Sequence, residues 1–134
     1  MNRLFVDTSA WFAYVNRRDP DHQAVRRVLR TFAGRLVTSN FVFDETVTFC
    51  ANRLGHAKAA KVGELLRDAA VVDLIHMTLP DEEAAWLLFR ARADKDYSFT
   101  DCTSFVVMRR LGLAQALSLD DDFRQEGFEV LPTL

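Results

Sequence analysis

The sequence predicts an α/β protein built on a parallel sheet that helices cover on both faces. Short apolar runs alternate along the chain with longer stretches of helical period. These short runs are continuously apolar rather than apolar at every second residue, as strands buried on both sides are. At 134 residues, 49% hydrophobic and 27% charged, the chain has the size and balance of one globular domain over 1–134.

The elements follow in order. Leu4-Phe5-Val6 is a first strand ending in Asp7, and helices are expected over 9–16 and 20–33. Pro20 fits a first helical turn and Gly34 a helix end. Leu36-Val37-Thr38 is a second strand, ending in Ser39 and Asn40. Helices over 40–54 and 56–70 are parted by Gly55, and Val71 to Ile75 forms a third strand. Helices over 80–94, with Pro80 in the first turn, and 100–111, closed by Gly112, come next. Ala116 to Leu119 is a fourth strand ending in Asp120, and Phe128 to Leu131 is a fifth. No repeat, low-complexity segment or linker interrupts the series.

Several classes are excluded. No apolar run approaches the ~20 residues of a membrane span, and the N-terminus enters a strand without a signal-peptide core. Cys50 and Cys102 form no disulfide framework and read as reduced thiols of a cytoplasmic protein. The net charge of −2 does not advertise nucleic-acid binding. Basic residues nevertheless cluster at Arg17, Arg18, Arg26, Arg27 and Arg30, either as solvated helix faces or as a binding surface.

Four acids carry the chemical signal. Chain direction places Asp7 and Asp120 at the carboxyl edge of the sheet, where open α/β sheets bind ligands, although acids there also serve turns and caps. Glu45, on a helix over 40–54, shares a stripe with Phe41, Val42 and Phe49. A carboxylate on such a core-facing aromatic stripe needs a partner, either an arginine or a metal ion. Asp101 stands at the mouth of an apolar helix amid Ser98, Thr100, Thr103 and Ser104. Ser98-x-x-Asp101 matches a capping box, and the remaining hydroxyls suit donors that orient a ligating carboxylate. Acids without a histidine or cysteine cluster favour Mg²⁺ or Mn²⁺ over zinc. Such ions suit phosphodiester hydrolysis, one activating water and a second, ~4 Å away, stabilising the leaving oxygen. Cys102 has no histidine nearby in sequence and reads as a small buried residue rather than a nucleophile. His22, His56 and His76 are scattered, and Trp11 and Phe12 read as core rather than a base-stacking platform.

"FVDTSAW" at 5–11, Glu45 within "FVFDETVTF", "SFTDCTSF" at 98–105 and "ALSLDDDF" at 116–123 together resemble the PIN-domain ribonucleases, and among them the VapC-type toxins of bacterial toxin–antitoxin modules. "DPDHQAV" at 19–25 is also typical of that family's second helix. The resemblance runs from residue 5 to Leu131. It implies a three-layer α/β/α fold with a short parallel sheet and an acidic Mg²⁺ or Mn²⁺ site that cuts single-stranded RNA. Carried over by position, it implies Asp7, Glu45, Asp101 and Asp120 as ligating acids, with Asp122 replacing or assisting Asp120. It also implies Ser9 and Thr100 as supporting residues; Thr103 is expected, with Thr100, to fix the Asp101 rotamer. The arginines at 17, 18, 26, 27 and 30 are then expected to contact RNA or a partner. "FVDTSAW" also resembles the nucleophile motif of haloacid-dehalogenase-like phosphatases, but Ser9 stands where those need a second Asp.

The expected function is a metal-dependent endoribonuclease, the toxin of a type II toxin–antitoxin system, held silent by a cognate antitoxin and paired as a homodimer. The alternatives are a PIN nuclease for RNA maturation or turnover without an antitoxin, and a non-catalytic binding module on the same scaffold. Trp11, Phe12, Val15, Phe43 and Val47 exceed what one small core holds, so some are expected to line a groove for an antitoxin segment.

Overall fold

The computed structural model describes residues 2–133 and contains a five-stranded, wholly parallel sheet in the order β3-β2-β1-β4-β5. The elements are β1 (Arg3–Val6), α1 (Thr8–Val15), α2 (His22–Thr31), β2 (Arg35–Ser39), α3 (Asn40–Leu54), α4 (His56–Leu66), β3 (Val72–Ile75), α5 (Leu79–Ala91), α6 (Phe99–Leu111), β4 (Gln115–Leu117), α7 (Asp122–Gln125) and β5 (Glu129–Leu131). From β1 the chain steps outward through β2 to β3, then crosses back to β4 and β5 on the other side. Right-handed crossovers therefore put α1–α4 on one face of the sheet and α5–α7 on the other. This is the three-layer arrangement that the resemblance implies.

Each face has its own core. On the α1–α4 side Trp11 is fully buried; its indole N–H donates to the Thr38 hydroxyl at 3.4 Å, which donates to the Val6 carbonyl at 3.1 Å. On the other side Phe5 approaches Phe123 at 6.2 Å, and Phe105 meets both Phe123 and Tyr97 edge-on at 5.0 Å. Burying one such side chain stabilises the fold by roughly 1.5–3 kcal/mol. Two acids pin the helices of this second layer. Asp81 completes a capping box with Thr78 and receives both guanidinium donors of Arg110 at 2.8 Å. Glu126 receives Arg92 at 2.6 Å and Arg109 at 2.7 Å.

Several boundaries differ from those the sequence predicts. Pro20 precedes α2 instead of opening it: Asp21 takes the N-cap position without a side-chain capping bond, and its own N–H bonds to the Asp19 carboxylate at 2.8 Å in the turn before. α4 stops at Leu66 rather than near 70, because Asp68 organises a turn that takes up the N–H groups of Ala70, Val71 and Val72. α5 ends at Ala91, short of 94, and β4 ends at Leu117, short of 119. The single-turn α7 was not anticipated. Gly34 is required by close approach: a Cβ there would lie 2.1 Å from the Asn2 carbonyl oxygen, which accepts the Arg35 N–H. Among the described residues, no helix is long and apolar enough to cross a membrane.

Candidate metal-binding active site

β1 has β2 on one side and β4 on the other, so the strand order turns at its carboxyl end. The crevice there is the preferred ligand position in open parallel sheets. Asp7 is the first residue past β1 and the N-cap of α1, and its N–H bonds to the Leu117 carbonyl of β4 at 3.0 Å. Only 2% exposed, it is held by two hydroxyls on one oxygen, Ser9 at 3.0 Å and Ser118 at 3.1 Å. The same hydroxyl oxygens accept backbone N–H groups: Ser9 from Leu119 at 3.0 Å and Ser118 from Asp120 at 3.1 Å. The loop carrying Asp120 is thereby stitched to the groups that orient Asp7. Burial, and then the charges of Asp101 and Asp120, push Asp7 up to about 7, against the opposing bonds from Ser9 and the Thr8 backbone.

Glu45 enters from α3. The Thr8 hydroxyl donates to its Oε1 at 2.6 Å, and Thr46, fully buried, donates to Thr8 at 3.3 Å. Asp101 enters from the first turn of α6, where the capping box is formed: the Ser98 N–H donates to Asp101 Oδ2 at 2.8 Å, and Ser98 Oγ accepts from the Asp101 N–H at 3.0 Å. Its carboxyl is raised by burial, with a contribution from Glu45, while the Ser98 bonds oppose the rise. Asp120 is exposed at the mouth and raised by partial desolvation and by Asp122. Asp122 opens α7, where burial and the neighbouring Asp101 push it up to about 6.

Asp7, Glu45, Asp101 and Asp120 line one cavity of about 420 Å³; Asp122 is not part of its wall. A second hollow, about 480 Å³, lies beside β3, but its acid, Asp73, is tied to Arg35 at 2.6 Å. Among the described residues none of the four pooled acids is paired with a lysine or arginine. No three His, Cys, Asp or Glu side chains of the described residues stand close enough to grip an ion as placed, so a bound ion would have to draw the carboxylates inward. The donor set still fits a hard divalent cation: it is all oxygen, and the burial and, after it, the mutual repulsion that raise Asp7 and Asp101 are what such a charge offsets.

Other expectations need correction. Thr103 does not orient Asp101; its hydroxyl donates to the Thr100 carbonyl at 2.6 Å, as Ser104 does at 3.1 Å, so both serve the backbone of their own helix. No hydrogen bond joins the Thr100 hydroxyl to Asp101 among the described residues, and Ser98 does the orienting instead. Glu45 is not in the core: Val42, Thr46 and Cys50 form the buried face of α3, and Phe41, Glu45 and Phe49 form the half-buried flank beside it. Trp11 is buried beyond the reach of any partner, while Phe43 and Val47, both half-buried, pack toward Gly63 on α4. Arg17, Arg18, Arg27 and Arg30 are exposed and Arg26 is half-buried, and none lines the cavity. Sequence reasoning missed Thr8 and Ser118. Their only signal was adjacency, Thr8 next to Asp7 and Ser118 two residues before Asp120.

The PIN domain profile matches residues 4–129. The 23S rRNA-specific endonuclease VapC20 of Mycobacterium tuberculosis is 40% identical over 130 residues, covering 96% of this chain and 98% of that protein. Ribonuclease VapC26 of the same organism is 30% identical over 118 residues, covering 87% of this chain and 86% of that protein. A crystal structure of VapC20, described as a sarcin–ricin loop cleaving toxin, superposes with a TM-score of 0.89 at 38% identity, covering 93% of this chain and 95% of that one.

Proposed function

The chain belongs to the PIN-domain family and to its VapC-type toxin ribonucleases, and from that premise we propose how it cuts RNA and what controls it. It is an endoribonuclease; Asp7, Glu45, Asp101 and Asp120 hold Mg²⁺ or Mn²⁺, with Asp122 assisting. The observation that supports this is the pooling of four cation-free carboxylates at the point where the strand order turns. A bound divalent ion supplies Lewis acidity and a charge for the phosphodiester oxygens. The chain's own residues supply position. Ser9 and Ser118 fix Asp7, Thr8 fixes Glu45, and Ser98 fixes Asp101.

VapC20 is named for its action on 23S rRNA. We extend this to an unpaired loop of ribosomal RNA as the substrate class here. The working unit is one PIN domain over 1–134, cytoplasmic, regulated by a cognate antitoxin. It pairs as a homodimer through α5, where Leu79, Trp86, Leu87 and Phe89 are 78%, 48%, 60% and 40% exposed. The test is cleavage of a loop-bearing RNA by the purified chain with and without chelator, Mn²⁺ and the antitoxin. Cleavage that stops in chelator and returns with Mn²⁺ is expected, and cleavage persisting in excess chelator would overturn the metal mechanism. Undiminished cleavage in a saturated antitoxin complex would overturn the regulatory one.

A further inference from the structure

The carboxylate cavity has an aromatic wall that metal chemistry does not use. Phe12 of α1 and Phe49 of α3 line it, their rings packed edge-on with centroids 4.8 Å apart. Both rings are only half-buried, unlike Trp11 beside them: Phe12 packs against the core with part of its surface, and both rings leave surface on the cavity wall. Their placement follows from the acid site. Thr8 and Glu45 bond across α1 and α3 at 2.6 Å; four residues further along each helix stand Phe12 and Phe49. Four residues further along α3, the guanidinium of Arg53 lies 4.8 Å from the centre of the Phe49 ring. Each step of four residues advances ~6 Å along a helix. The series is thus acid, aromatic pair, cation, spaced about as the parts of one nucleotide strand. Asp19 lines the same cavity and repels phosphate from its own side, leaving the Arg53 side as the path for the backbone.

We propose that Phe12, Phe49 and Arg53 form a nucleotide subsite: the rings take an unpaired base adjoining the scissile phosphate, and Arg53 takes the phosphate beyond it. This rests on the ribonuclease reading and adds where the strand lies. Unpaired RNA bases stack on aromatic rings and on guanidinium planes, and the contact tolerates any base because each has a π face. The subsite therefore selects for an unstacked, flipped-out nucleotide rather than for one base identity, which is how a loop is distinguished from a helix.

The test uses short loop RNAs carrying one abasic nucleotide at each position flanking the cut. Removing the stacked base is expected to lower kcat/KM roughly 5- to 150-fold at one flanking position in the unaltered protein. Phe49→Leu should lose a similar factor on intact RNA and show no further penalty from the abasic site, whereas Phe49→Tyr should retain the penalty. Arg53→Gln should weaken intact and abasic RNA alike and flatten the salt dependence. Anisotropy of the same RNAs in chelator reads stacking without cleavage, and thermal melts confirm folding of each variant. No abasic penalty at any position, or an undiminished penalty in Phe49→Leu, would overturn the subsite. If the protein cuts none of these RNAs, the ribonuclease reading fails separately, and equal affinity for intact and abasic RNA in chelator would overturn the subsite on its own.

Discussion

Asp7 is a carboxylate with almost no water around it and two other acids near it, and its proton is held accordingly, up to about 7 against an ordinary 3.8. In the unfolded chain that proton leaves near the ordinary value. Between the two, the folded state binds more protons than the unfolded one, so metal-free stability falls as pH rises through this window. Asp7→Asn removes the buried charge and keeps the shape. It is expected to raise the metal-free stability at pH 8 by roughly 2–4 kcal/mol, to flatten the pH dependence in urea unfolding, and to reduce cleavage to background. Mn²⁺ should raise the melting temperature of the unaltered protein and leave that of Asp7→Asn unmoved, because only a ligand that binds the folded state stabilises it. A variant that lost its fold would mark Asp7 as structural instead. Ser118 makes a different prediction: it touches Asp7 and the Asp120 backbone but is buried and is not part of the cavity wall. Ser118→Ala should cost about 10- to 100-fold in metal affinity, read as a rightward shift of the Mn²⁺ activation curve with little change in melting temperature. Asp120→Asn, compared with Asp122→Asn, should have the larger effect on cleavage, since only Asp120 lines the cavity.

At the scale of elements, α3 shows what periodicity can and cannot say. Its span, 40–54, is legible because Ser39 caps one end, accepting from the Val42 N–H at 3.1 Å, and Gly55 ends the other. Which face it buries is not legible, because both Val42-Thr46-Cys50 and Phe41-Glu45-Phe49 keep the helical spacing. The aromatic stripe has the spacing of a core face, yet smaller side chains pack the inner face, Phe49 lines the cavity and Phe41 packs edge-on against Phe99. The parallel sheet and the four pooled acids were readable because strand ends in such a sheet share one edge. Ser9 and Ser98 were readable too, since each lies within three residues of its acid, but Ser118 was not: Ser118 and Asp7 are 111 residues apart, a pairing that only register between β1 and β4 creates. α2 and the turn before it carry the arginines whose role remains a prediction. Each of Arg17, Arg18, Arg27 and Arg30, if it meets phosphate, contributes about one unit to the slope of binding against salt on a logarithmic scale. Replacing them with glutamine should flatten that slope in cleavage under sub-saturating RNA, and an unchanged slope would return them to a solvated face.

For the molecule as a whole, the unresolved demand is the surface of α5. Leu79, Trp86 and Leu87 are too exposed for a helix otherwise packed on α6, and Trp86 stacks on Phe89 with centroids 6.1 Å apart. The aromatic series continues from Phe89 to Phe99 at 6.4 Å and from Phe99 to Phe41 at 6.0 Å, which leads from the surface to the first turn of α6 and to α3. Phe99 lies two residues from Asp101, and Phe41 lies one turn from Glu45 on α3. An exposed apolar patch of this kind marks an association surface, and a second copy of α5 offers the matching one through a two-fold axis. Pairing there would hold the ends of α3 and α6, so the geometry of Glu45 and Asp101 should depend on it. The double substitution Trp86→Glu and Leu87→Glu would bring like charges together at that axis and should leave a folded monomer by light scattering at roughly tens of micromolar, where the unaltered protein is expected to be a dimer. Cleavage per chain should fall in the monomer although both residues lie outside the cavity. An unaltered protein that is strictly monomeric at that concentration would sink the dimer, while a monomeric variant with full activity would leave the dimer standing and remove its coupling to the site.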